Sequence, residues 1–203
     1  MGIPINIPGL NQFIKEVPEG SIVSIEGGVD SPKAVLVSVI ASTAKDEGWS
    51  ISYVCPRGRC GSLQDLPGKW RQDLVIVEGD APILWKQHLK PKNVLIIDSL
   101  SYLMLERDVS EFKNIMEEIK TSGRTNGAII IQLIELGMFD LKAEILTGFF
   151  ADGIVQFLSK DSGEGVSRFI RIPKWMEGSS FDRNIYYTYE EGRINIDLRY
   201  RVV

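Results

Sequence analysis

A single histidine, His88, and two cysteines, Cys55 and Cys60, leave little material for a metal centre. Only Pro-Arg-Gly-Arg lies between the cysteines, and no second pair or nearby histidine completes four ligands, which argues against zinc. No apolar stretch approaches the roughly 18 residues of a spanning helix. Met1 to Leu10 has no basic segment followed by an apolar run, so a secretory leader is not expected. A cytoplasmic chain with reduced thiols is the expectation. An excess of positive charge is missing too: 23 Lys and Arg stand against 27 Asp and Glu, a net charge of −4, so nucleic acid is not the default partner. His88, in Trp85-Lys86-Gln87-His88-Leu89, is read as a solvated or partly packed residue on a surface helix and takes no role.

What is present suits one globular core. The 203 residues are 44% apolar and 25% charged, with no repeat and no long linker, so residues 1–203 are read as a single domain. Ile22-Val23-Ser24-Ile25 reads as a strand running into the turn Gly27-Gly28-Val29-Asp30. A helix follows, with Asp30 or Ser31 as cap, Pro32 in its first turn and an apolar stripe at Val35, Leu36, Val39 and Ile40, ended by Gly48. Ile51 to Cys55 and Leu74 to Val77 read as strands, and Val94 to Asp98 and Ala128 to Leu133 as strands buried on both faces. Phe112, Ile115, Met116 and Ile119 mark an amphipathic helix over Ser110 to Ser122, with Gly123 just beyond it. A short helix over Leu141 to Leu146 precedes a strand from Gly153 to Leu158. Ser167 to Ile172, Ile185 to Tyr189 and Arg193 to Leu198 then alternate with turns rather than helices. The order predicts a three-layer αβα domain with a mainly parallel sheet extended by antiparallel C-terminal strands. Ligands in such folds sit at the carboxyl ends of the strands.

The turn after the first of these strands has a chemical reading. A phosphate-binding loop, G-x-x-x-x-G-K-[ST], uses glycines for a tight turn, backbone N–H groups to face the phosphates, a lysine for their charge and a hydroxyl for Mg²⁺. The register here is Gly27-Gly28-Val29-Asp30-Ser31-Pro32-Lys33-Ala34. Gly27 and Lys33 match. Pro32 removes one N–H from the cradle, Ala34 offers no metal ligand, and Asp30 adds negative charge. Ser31-Pro32 also reads as an ordinary helix start with no ligand. Asp98, ending an apolar strand, stands where a Mg²⁺-ordering aspartate would. The candidate nucleotide-binding residues are therefore Gly27, Gly28, Ser31, Lys33 and Asp98, with no metal ligand and no catalytic residue assigned.

Taken together, the chain resembles the KaiC-like branch of the RecA superfamily of ATPases. The resemblance is carried by Ile7-Pro8-Gly9-Leu10-Asn11, by Gly20 to Gly27, by Val94 to Leu103, by Ala151-Asp152-Gly153-Ile154-Val155 and by Arg171-Ile172-Pro173-Lys174. It implies a RecA-like fold, oligomeric assembly, a water-activating glutamate after the second strand, and basic residues reaching a neighbour's phosphates. In this chain that glutamate's place holds Cys55-Pro56-Arg57-Gly58, and the basic pair near the end is reduced to Lys174 in Lys174-Trp175-Met176-Glu177-Gly178. Arg57 and Lys174 are candidate phosphate or intersubunit contacts, and Arg59 flanks the same loop. Trp175 with Met176, and Phe149 with Phe150, are candidate anchors for another subunit or residues of the core.

Several departures in separate elements bear on one reaction. Each lost transition-state donor costs about 10²–10⁵ in rate. The expectation is a degenerate phosphate loop in a pseudo-ATPase. Its role would be structural or regulatory, through a homo-oligomer or a hetero-oligomer with a RecA-like paralogue. The alternatives are a protein that holds ATP or ADP weakly, hydrolysing it slowly with a partner's help, and an accessory module for recombination or RNA.

Overall fold

The computed structural model describes residues 2–56, 74–78, 83–105, 107–138, 140–161, 163, 165–176 and 179–198. In chain order the strands are β1 (Ile3–Pro4), β2 (Glu16–Val17), β3 (Ile22–Gly27), β4 (Ser50–Cys55), β5 (Val75–Glu78), β6 (Asn93–Ile97), β7 (Ile129–Glu135), β8 (Gly153–Asp161), β9 (Val166–Trp175), β10 (Ser179–Glu190) and β11 (Arg193–Ile196). The helices are α1 (Lys33–Asp46), α2 (Ile83–Lys86), α3 (Leu100–Leu103), α4 (Val109–Asn126) and α5 (Leu141–Phe150). One nine-stranded sheet runs β11-β10-β9-β8-β3-β7-β6-β4-β5. The six strands from β8 to β5 are parallel, and β9, β10 and β11 add on antiparallel.

Strand alternation builds a core on each face of this sheet. Val23, Ile25, Ile129, Ile131 and Leu133 pack with Leu36, Val37 and Ile40 of α1. Ile22, Ile130 and Ile134 face the other way, toward Phe112, Met116 and Ile119 of α4 and Phe150 of α5. Asp152 ties the amino ends of two neighbouring strands: its Oδ2 accepts from Ile22 N at 3.0 Å, and its Oδ1 pairs with Arg124 at 2.8 Å.

The three-layer architecture expected from the order of elements is the one observed, with several local differences. The first is the start of α1. Pro32 occupies the N-cap position and no side chain caps the helix; the Ser31 hydroxyl turns back instead to donate to Gly28 O at 2.6 Å. Helix α4 passes through Gly123 and ends at Gly127, whose φ of 69° supplies the left-handed C-cap. Gly123 serves packing, because a Cβ there would lie 2.4 Å from Ile130 Cδ1. Helix α5 extends beyond the predicted Leu146, and β10 is longer than predicted, with register shifts that bend it. Ahead of β3, β1 pairs antiparallel with β2.

Two polar residues bear on expectation. Of the two readings of His88, solvated or partly packed, the structure favours packing: at 8% exposure it turns onto β4, where Ser52 Oγ lies 2.9 Å from Nδ1 and Asn93 donates to His88 O at 2.6 Å. Where the sequence predicts a reduced thiol, buried Cys55 takes part in a disulfide. Among the described residues no helix is long and apolar enough to cross a membrane.

Two measurements check this packing. Alanine in place of a helix glycine ordinarily stabilises by about 1 kcal/mol, whereas Gly123→Ala should destabilise by about 1–3 kcal/mol in urea unfolding because it forces Ile130 aside. Burial, with Lys90 adding, lowers the pKa of His88 below its ordinary value. The folded chain therefore resists the proton that the unfolded chain takes up near pH 6.5. Stability contributed by neutral His88 is present above that pH and lost as pH falls, so His88→Gln should flatten the pH dependence of stability measured between pH 7.5 and 5.

Candidate functional site

The carboxyl ends of β3, β6 and β7 lie at one end of the sheet, where Asp98 and Glu135 line a cleft of about 490 Å³ beside the loop that follows Gly27. The loop between β3 and α1 forms one wall, with Val29 at its tip 92% exposed. Gly27 is required by close approach: a Cβ there would sit 2.5 Å from Ser31 Oγ. The Ser31 side chain thus occupies the inside of the turn.

Lys33, the first residue of α1, points back into this turn. Its Nζ donates to Gly27 O at 3.1 Å, Gly28 O at 2.6 Å, Ser31 Oγ at 2.9 Å and Glu135 Oε2 at 3.1 Å. An ammonium has three N–H donors, so these four acceptors saturate it. The residue is only 4% exposed. Glu135 is set in place through its backbone, whose N–H donates to the buried Ser101 Oγ at 2.9 Å just beyond β6. Sequence reading missed Glu135; the available signal was an acid at the carboxyl end of a buried strand.

Asp98 is half-buried beside the same cleft, and its Oδ2 accepts a hydrogen bond from the buried Tyr53 hydroxyl of β4. Ser99, joined to Asp98 by a cis peptide bond, caps α3. Asp30, Asp98 and Glu135 line the cleft together with Lys33 and Ala34. Three carboxylates against one ammonium disfavour a polyphosphate electrostatically. On the other side of the loop, Arg168 of β9 and Tyr187 of β10 line a second recess of about 190 Å³ with Gly28, Asp30 and Ser31. Burial pushes the Tyr187 phenol up to about 12, with Arg168 opposing and Asp30 adding. Alternation could have flagged Arg168, which shares a strand face with the buried Ile170 and Ile172.

The remaining candidates fall elsewhere. Lys174 pairs across β8 with Ile154, near the amino ends of the parallel strands and away from its own loop; its Nζ donates to Gly148 O at 3.2 Å. Burial and then Lys120 lower its pKa, Asp152 raises it and Arg124 lowers it further. Arg57 and Arg59 lie outside the described residues. Trp175 and Phe150 are core residues at 7% and 4% exposure, whereas Phe149 is 70% exposed. Among the described residues no cluster of His, Cys, Asp or Glu is arranged to hold a metal ion.

The Lys33–Glu135 pair makes a specific energetic claim. A double-mutant cycle with Lys33→Met and Glu135→Gln, read by urea unfolding, should give a coupling of about 1–3 kcal/mol, against about zero for an exposed pair such as Lys113–Glu117.

No protein-family model matches the chain, and no curated protein matches it in sequence. Solved structures do. The flagellar accessory protein FlaH from Methanocaldococcus jannaschii is similar with a TM-score of 0.72 and 18% identity, over 98% of this chain and 100% of that one. A KaiC-like protein from Pyrococcus horikoshii is similar with a TM-score of 0.74 and 17% identity, over 97% and 99%. With the parallel sheet and the antiparallel extension in these positions, the chain shares the fold of these two solved structures.

Proposed function

We propose that this chain is a non-hydrolysing KaiC-like subunit whose role is structural or regulatory, exercised through self-association or through binding a partner. The observation that carries this reading is the closed loop. Lys33, which would neutralise a nucleotide's phosphates, is saturated by Gly27 O, Gly28 O, Ser31 Oγ and Glu135. Pro32 has no N–H to offer, and Ala34 has no oxygen for Mg²⁺. Hydrolysis also needs a group to activate water, and the acids lining the cleft are engaged or misplaced: Glu135 with Lys33, Asp98 with Tyr53, Asp30 on the exposed loop. Losing several such groups at once removes most of the rate, since each contributes about 10²–10⁵.

A second reading keeps nucleotide without turnover, and one observation favours it: Lys33 and Asp98 still line a single open cleft. Glu135→Ala would then free the ammonium for a phosphate.

Purified chain incubated with ATP and Mg²⁺ should release phosphate no faster than Lys33→Ala, and millimolar ATP should leave its melting temperature unchanged. Lys33-dependent hydrolysis would refute the proposal. A melting shift without hydrolysis would select the second reading, because a ligand at 100 times its Kd stabilises the native state by about 2.7 kcal/mol.

A further inference from the structure

Helix α5 has more apolar surface than the fold uses. Ala143, Thr147 and Phe150 face the core, yet Leu141, Ile145 and Phe149 are 70%, 62% and 70% exposed. Spaced four residues apart, they form one continuous stripe. Met138, just before the helix, is 40% exposed as well. Apolar residues on both sides of a helix normally mean burial on both sides, and an exposed apolar stripe of this kind marks a contact surface.

Beside the stripe lies a cleft of about 220 Å³ between α5 and the sheet, with Glu26, Glu144 and Gln156 as its polar groups and Leu136, Ile154 and Ile145 among its apolar ones. Glu26 is 6% exposed. One of its oxygens, Oε2, accepts from Gln156 Nε2 at 2.9 Å, and no described residue donates to the other. Burial raises the Glu26 pKa, the Gln156 hydrogen bond opposes this, and Glu144 raises it further. Glu144 itself is half-buried, and its Oε1 accepts from Gly137 N at 3.0 Å. A carboxylate held inside a protein without a cation is costly and is ordinarily paired.

We propose that the α5 face docks a segment of a partner protein in which one lysine or arginine is flanked by apolar residues. The cation enters the cleft to meet Glu26 and Glu144, and its neighbours cover Leu141, Ile145 and Phe149. The chemistry of the cleft selects this occupant. Apolar walls suit the aliphatic stem of a long basic side chain, and the carboxylates at its floor suit the charged end. The apolar stripe supplies area, and the acidic cleft supplies register and selectivity. The proposal deepens the partner-binding role and rests on it. It makes no use of the phosphate loop, so ATP hydrolysis by the purified chain would sink the non-hydrolysing reading and leave this one standing.

The test uses the full chain and a labelled helical peptide carrying leucines along one stripe and a central arginine, with sister peptides bearing norleucine or glutamate in its place. Fluorescence anisotropy should show the arginine peptide binding at least about tenfold more tightly than either sister. Glu26→Gln or Glu144→Gln should erase the preference for arginine over norleucine, and Phe149→Ser should weaken all three peptides. Failure of the arginine peptide to bind, or equal binding of the arginine and norleucine peptides, overturns the proposal. So does self-association in sedimentation that Phe149→Ser abolishes and Glu26→Gln leaves intact, which would make the occupant a second copy held by apolar contact alone.

Discussion

The ammonium of Lys33 holds the loop in its observed shape. Gly27 and Gly28 turn their carbonyl oxygens toward it, Ser31 folds its hydroxyl into the turn, and Glu135 reaches across from β7. An anion-binding loop has the opposite polarity, with N–H groups directed inward and the lysine left to meet negative charge from outside. Here the cation's partners come from within the chain, so strand, loop and helix are tied at the point where a ligand would otherwise complete them. The arrangement depends on small residues: a side chain at Gly27 would strike Ser31.

The same constraint explains why the carboxyl edge of the sheet can be acidic. Asp30, Asp98 and Glu135 would destabilise a bound polyphosphate, but each has a place in the ligand-free chain. Glu135 neutralises Lys33, Asp98 accepts from Tyr53, and Asp30 lies on the exposed loop. Acidic residues at this end of the sheet are compatible with stability because each has its own partner or solvent, and function belongs to the site and not to the fold.

At the other edge and on the far face the chain holds itself together differently. Asp152 joins the starts of β3 and β8 and pairs with Arg124. Lys120 and Lys174 donate to Phe150 O and Gly148 O, cations at the C-terminal end of α5 where the helix dipole favours them. These contacts fasten one end and one side of α5 and leave its Leu141, Ile145 and Phe149 side outside the core. Lys174, read from sequence as a candidate phosphate or intersubunit contact, donates within the chain to Gly148 O of α5.

The order of strands and helices and the parallel sheet with its antiparallel extension were legible in the sequence. Apolar period, turn residues and the chemistry of Pro32 and Ala34 are local properties that survive without knowledge of the fold. The boundaries that went wrong, at Gly123 and Leu146, did so because a glycine or a short apolar run means different things according to what packs against it. Only the tertiary structure decided that Glu135 meets Lys33, that His88 turns inward onto Ser52, that Arg168 flanks the loop and that α5 keeps an apolar face uncovered. Each of these depends on residues far apart in the chain being brought together by the sheet, and side-chain pairing at such separations leaves no periodic trace along a single sequence.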